Sequence, residues 1–238
     1  MSRGLGTHAT ALPPKPTPLR RAAEAERTPA PSLRDLAYEA IKHRIITCAF
    51  KPGEYVNEAS VAATLGFGRT PVHQAINRLM LEGMVEVIPR KGVIVRPVSL
   101  DEVIQIIEAR VIVEPQGVRL AAERADENEI AALDDILART RACMDTRNIE
   151  QMMLLDREFH LVLARAARNA VLAEILRRLH ERSLRFWFIS LTAPEHHASV
   201  QEEHRAIIEA IRTRDVAAAE RAMCTHIESF RTNVARCL

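Results

Sequence analysis

Residues 57–96, NEASVAATLGFGRTPVHQAINRLMLEGMVEVIPRKGVIVR, leave this chain little freedom in how it folds there. Two short helical patterns flank Gly66-Phe67-Gly68, and the second leads into two β-rich runs around a basic turn. Asn57 is placed to cap the first helix, with Val61, Ala62 and Leu65 on one face. Gly66 supplies the left-handed position that stops it, and the turn is short enough for a helix-turn-helix. Thr70 reads as the cap of the second helix, with Pro71 at its first position, where the missing N–H costs nothing. Val72, Ile76, Leu79 and Met80 form its buried stripe, which turns Arg69, Thr70, His73, Gln74, Asn77 and Arg78 outward. Such side chains suit base edges and phosphates. Residues 84–88 and 93–95 read as a hairpin, with Gly92 permitting the turn and Arg90 and Lys91 at its tip. A wing meets the minor groove or the DNA backbone at that point. The pattern is a winged helix-turn-helix, and it points to gene control rather than catalysis.

The distribution of charge agrees. The net charge is only +2, but residues 32–98 carry nine basic against six acidic groups, whereas residues 99–238 carry nineteen against twenty-three. The basic part is the part expected to meet phosphate. No apolar run approaches the length of a membrane span, and the first thirty residues lack the apolar core of a signal peptide. Cys48, Cys143, Cys224 and Cys237 form no Cys-x-x-Cys motif. A cytoplasmic protein with reduced thiols is expected.

The chain divides into three parts. Residues 1–31, with Pro13, Pro14, Pro16, Pro18 and Pro29, read as a disordered basic tail. Residues 32–98 hold the winged helix, opened by a helix capped at Ser32. Its apolar face takes in Leu36, Ala40, Ile41 and Ile45, leaving Arg34, Lys42 and Arg44 exposed to reach a phosphate. Residues 99–238 read as helix throughout. Ser99-Leu100-Asp101-Glu102 is a capping-box pattern opening a long helix through about Arg124, with Pro115 kinking it. Further helices start at Asp126, Asn148 and Asn169, a fifth ends at Arg212, and a sixth starts at Asp215. Six helices with short links make an antiparallel bundle the economical architecture, so the fold is mainly α.

The N-terminal motif resembles the GntR family of bacterial winged-helix regulators. Lys51-Pro52-Gly53-Glu54, Arg69-Thr70-Pro71-Val72 and Gly83-Met84-Val85 carry the resemblance, which runs from about Leu33 to Pro97. It implies DNA contacts at Arg69, Thr70 and the wing position Gly92. The sequence departs from the family at His73 and Gln74, where Arg and Glu are commoner. A neutral imidazole has one donor where arginine grips guanine with two bonds.

Within the bundle, Asp156 and His160 stand one turn apart amid Met152, Met153 and Leu163. His204 accompanies Ile207, Ile208 and Ile211, and His226 accompanies Met223, Ile227 and Phe230. On the residues alone, these four are either satisfied core groups or the ligands of one divalent cation. Residues from about Ser99 to Phe230 resemble the FCD ligand-binding domain of the FadR-like GntR branch, in its shorter VanR-like form. That resemblance implies a metal held by Asp156, His160, His204 and His226, zinc first, with nickel or manganese as alternatives. It also implies a small organic acid beside the metal. Arg110, amid apolar neighbours, is the candidate clamp for its carboxylate, against the alternative of a surface pair with Glu114. Asn169 resembles a position at the edge of that cavity, but capping explains it equally well.

The expected function is therefore an effector-responsive homodimer that reads a palindromic operator in double-stranded DNA, with no enzymatic activity. DNA-reading candidates are Arg69, Thr70, His73, Gln74, Asn77, Arg90, Lys91 and Gly92. The alternatives are a metal-free sensor of acyl ligands and a metal-dependent hydrolase with an accessory DNA-binding domain. For the hydrolase no separate general base stands out, since Glu158 and Glu203 are expected to point elsewhere.

Overall fold

The structure, a computed structural model, describes Met1, residues 31–97, 99–190 and 194–237, with backbone alone for 187–190, 194–196 and 236–237. The expected N-terminal tail lies outside the described residues, apart from its two ends. The first helix, α1 (Leu33–Ile46), starts where the Ser32 hydroxyl accepts from the Asp35 N–H. Its buried face is Ala37, Tyr38, Ile41, Lys42, Ile45 and Ile46. The stripe is rotated from the expected one: Leu36 is exposed and Lys42 is fully buried. An apolar count along α1 cannot register a polar group that has a charged partner elsewhere in the chain.

Asn57 caps α2 (Glu58–Leu65) through the Ala59 and Ser60 N–H groups, and Gly66 ends it at φ 70°. Next, α3 (Arg69–Leu81) begins two residues earlier than the Thr70 cap implies. Gly68 is its cap and makes no side-chain bond, so Thr70 and Pro71 sit inside the first turn. Val72, Ala75, Ile76 and Leu79 face the core, while Met80 is exposed.

The wing has a strand the sequence did not announce. β1 (Tyr55–Val56), β2 (Val85–Ile88) and β3 (Gly92–Val95) form an antiparallel sheet in the order β1-β3-β2. Ile88 pairs with Gly92, so Pro89, Arg90 and Lys91 make the tip. Gly92 has φ 106°, and a Cβ there would stand 3.2 Å from the Val56 carbonyl oxygen. Gly92→Ala should therefore destabilise the chain by about 1–3 kcal/mol, since the backbone is one that only glycine adopts cheaply. Urea unfolding measures this. A loss under about 0.5 kcal/mol, the range of neutral surface changes, would mean that β1 parts from β3 freely.

Among the described residues six helices follow: α4 (Leu100–Arg124), α5 (Glu127–Asp145), α6 (Ile149–Ala166), α7 (Ala170–Ser190), α8 (Pro194–Arg212) and α9 (Val216–Cys237). α4 runs through Pro115 without interruption. Ser99 caps it through the Glu102 N–H, but the Glu102 carboxylate accepts from Arg182 of α7 instead of closing a box. The full capping box is at Asp126–Glu129, opening α5. The bundle core joins Val103, Ile107 and Val118 of α4 to Leu133 of α5, Phe159 of α6 and Ile207, Ile211 and Ile227 of α8 and α9. Among the described residues, Cys48, Cys143 and Cys224 are free thiols, and no helix is long and apolar enough to cross a membrane.

The winged helix meets the bundle through buried charge. Lys42 of α1 donates to Glu181 of α7, which also accepts from Arg157 of α6 at 2.7 Å and from Arg177. Lys42 donates to the Tyr38 hydroxyl at 2.6 Å, and Tyr38 donates to Glu82 at the end of α3 at 2.7 Å. Lys42 and Glu181 are both 1% exposed. Burial alone would raise the Glu181 carboxyl, but Lys42 and Arg157 outweigh it and hold the group ionised.

Candidate functional site

Three helices build a polar cluster inside the bundle. α6 turns Asp156 and His160 inward on the face that carries Met152, Met153, Phe159 and Leu163. α8 supplies His204, whose ring stacks on Phe159 at 3.9 Å between centroids. α9 supplies His226, on the stripe of Met223, Ile227 and Phe230. Asp156, His160, His204 and His226 are all buried, and each offers a ligand atom within 4.8 Å of the others. The structure thus brings together the four residues singled out from the sequence.

The donor set suits a divalent cation. Burial, then the neighbouring His226, pushes the His204 imidazole down to about 3, and burial with His180 holds His160 well below the usual range. Both rings are neutral at physiological pH, the state a metal ligand requires. Burial opposes ionisation of Asp156, but the surrounding imidazoles, His180 first, bring it to about 2. Asp156 Oδ1, His160 Nε2 and His204 Nε2 make no hydrogen bond although each is buried. Such orphaned donors and acceptors are costly unless something satisfies them. Three nitrogens and a carboxylate oxygen are ordinary zinc chemistry and suit nickel as well.

Three residues belong to this site that sequence reasoning missed or misdirected. Glu203, expected to point away, accepts from His226 Nδ1 at 2.9 Å. Burial opposes its ionisation, but that bond from His226 brings its carboxyl to about 2. It fixes which ring nitrogen of His226 carries the proton and leaves Nε2 for a ligand role. Glu158 does lie outside, paired with Arg139 on the surface. His180 of α7 stacks on His160 at 4.1 Å between centroids and stands 3.4 Å from Asp156. Glu114 of α4 lies 3.5 Å from His160 Nδ1 and, with His160 and His180, forms a second group of converging ligand atoms. The sequence signal for His180 is its four-residue spacing from Leu176 and Leu184, both buried, which puts it on the inward face of α7.

Arg110 is in the wall of the same cavity, 3% exposed, so a surface pair is excluded. It does pair with Glu114, inside the bundle, and donates to the Ser183 hydroxyl at 3.2 Å. One cavity beside the cluster is lined by Arg110, Asp156, His180, Ser183, His226 and Phe230. Another lies across His160, against Gly117, Val118, Leu176 and Met223. Asn169 is not in either lining. It caps α7, accepting from the Leu172 N–H at 3.1 Å, and borders an open surface groove with Arg165 and Arg168.

The DNA-reading candidates lie on α3 and at the wing tip. Arg69, Thr70, His73 and Gln74 are exposed along α3, Asn77 is half-buried beside them, and Arg90 and Lys91 are exposed at the wing tip with Gly92 half-buried behind. Arg78 is engaged elsewhere: its guanidinium lies 3.6 Å from the Tyr38 ring centroid and pairs with Glu82. Lys42, expected to reach a phosphate, is buried against Glu181 and does not.

Comparison with known proteins agrees with both halves. Over 133 residues the chain is 36% identical to the Nta operon transcriptional regulator of Aminobacter aminovorans, a match covering 56% of this chain and 63% of that protein. Over 211 residues it is 24% identical to the HTH-type transcriptional repressor RspR of Escherichia coli, covering 89% and 92% of the two chains. Among solved structures, E. coli McbR/YncC superposes with a TM-score of 0.79 at 21% identity, over 87% of this chain and 99% of that one. The sequence matches the FCD domain over residues 105–229 and the gntR family of bacterial regulatory proteins over residues 33–95. The chain therefore belongs to the GntR family of bacterial transcriptional regulators, in the form that carries an FCD domain.

Proposed function

We propose that this regulator is a homodimer in which residues 32–98 read a palindromic operator and residues 99–238 bind a divalent metal and a small organic acid. The observation that carries the reading is the convergence of Asp156, His160, His204 and His226, with Arg110 in the adjoining wall. When bound, the metal would supply a positive centre able to take one carboxylate oxygen of an acid. Arg110 would grip a second oxygen, exchanging its bond to Glu114 for one to the effector. Zinc is the first candidate. Two-fold pairing follows from how such modules work, one recognition helix per half-site. Arg69, Thr70, Gln74 and the wing residues Arg90, Lys91 and Gly92 would hold phosphates and bases.

A path from sensing to reading is built into two helices. Asp156 faces the metal cluster and Arg157 the Glu181 network, while His180 and Glu181 repeat that division on α7. A rotation of α6 or α7 that improves metal or effector contacts must therefore disturb the contacts to α1 and α3. An effector that binds one arrangement better shifts the population of the other. The hydrolase alternative loses support, because Glu203 is engaged in orienting His226 and Glu114 in pairing with Arg110.

The test uses zinc-loaded full-length chain, a duplex selected from a random pool, and a panel of small carboxylic acids at fixed salt. At least one acid is expected to change operator affinity about fivefold or more, within the usual range of allosteric coupling. Arg110→Ala should abolish that response while leaving zinc stoichiometry intact. Operator affinity unchanged across saturating acids would refute the effector reading.

A further inference from the structure

The recognition surface contains a hydrogen-bond chain that spans two helices. Glu58, at the start of α2, places its carboxylate oxygens 3.1 and 3.2 Å from His73 Nδ1 on α3. On the far side of the ring, His73 Nε2 stands 3.1 Å from Asn77 Nδ2, one turn along the same helix. The His73 side chain is 59% exposed and that of Glu58 37%, with Asn77 half-buried beside them.

With the His73 ring neutral and Glu58 ionised, the three groups fix the direction of each bond. An ionised carboxylate only accepts, so His73 Nδ1 carries the hydrogen and donates to Glu58. In the neutral ring Nε2 then becomes an acceptor, and the only matching group Asn77 has is its NH2. The amide is thereby prevented from flipping. Asn77 keeps its Oδ1 as an acceptor and one N–H of Nδ2 as a donor. That pair matches the N6 amine and N7 of adenine in the major groove. We infer that Glu58 is a specificity-determining positioning residue, which acts through His73 to make Asn77 an adenine reader. The inference rests on the proposal that α3 reads DNA. It also gives His73 a role other than direct base contact: the imidazole orients its neighbour.

The test is selection from a random duplex pool by the full-length chain, followed by binding of single-base variants of the winning site at fixed salt. The wild type should enrich a site with adenine at one position in each half. Changing that adenine should cost the wild type about tenfold or more in affinity, the range for a bidentate base contact. Glu58→Ala and His73→Ala should each reduce that discrimination to about twofold or less, and the double variant should add nothing. Other positions should keep their preferences, and affinity for unselected DNA should not fall. Glu58→Gln, which retains an acceptor oxygen, should restore part of the discrimination. If the wild type enriches no site, the DNA-reading proposal itself fails. If it enriches a site whose preferences survive both alanine variants, or if the position they relax is not adenine, the relay is overturned.

Discussion

Glu181→Gln should cost this chain about 3–5 kcal/mol of stability, because it takes the nearest carboxylate from the buried Lys42 ammonium and a shared partner from Arg157 and Arg177. Lys42 and Glu181 are both 1% exposed, and Arg157 and Arg177 share the same carboxylate. Removing one side of a buried pair leaves the other uncompensated, and that penalty exceeds the net worth of the pair. Glutamine keeps the shape of the side chain, so lost packing contributes little. The measurement is urea unfolding of wild type, Glu181→Gln, Lys42→Met and the double variant. Lys42→Met should cost less in the glutamine background than in the wild type, since the charge it leaves unpaired is already gone. A single-variant loss under about 1 kcal/mol, the ordinary value of an exposed pair, would mean that the junction is wet and the two halves are loosely joined.

That network also marks the boundary of what could be read from the chain. The helix-turn-helix was legible because its signals are local: the Asn57 cap, the left-handed Gly66 and an apolar stripe of helical period. The six bundle helices were legible for the same reason, with Asn148, Asn169 and Asp215 each accepting from a backbone N–H in the following turn. The four cluster residues were visible because they interrupt apolar stripes with polar groups. Long-range facts were hidden. β1 is two residues long and pairs with β3 where Gly92, without a side chain, comes close to Val56. Lys42 looks exposed until α7 covers it with Glu181. Glu203 needs α9 and His180 needs α6 beside it to acquire a role. Local periodicity reports which face is apolar, whereas a polar residue's fate depends on a partner remote in the sequence.

Asp156→Ala should separate a metal centre from a merely polar core. If the cluster holds zinc, the alanine variant loses one of four ligands. Structural zinc sites bind with roughly 10–16 kcal/mol in total, so one ligand corresponds to a loss of about 100-fold to 1,000-fold in affinity. Zinc at about a hundred times its dissociation constant should stabilise the wild type by about 2.7 kcal/mol, and the same zinc should do almost nothing for the variant. Glu203→Gln should give a milder version, about 10–100-fold weaker binding, because it disturbs the orientation of His226 without removing a ligand. The metal-free comparison carries the opposite sign of information. Asp156 Oδ1 is buried without a hydrogen bond, so its removal should destabilise the chelated protein far less than it destabilises the zinc-loaded one. A core reading predicts equal losses with and without metal, because packing and hydrogen bonding are then the whole of its contribution. Competition with a chromophoric chelator gives the affinities, and thermal unfolding with zinc or with chelator gives the stabilities. An equal zinc-induced shift in wild type and Asp156→Ala would remove Asp156 from the coordination set and leave His160, His204 and His226 to be tested in its place.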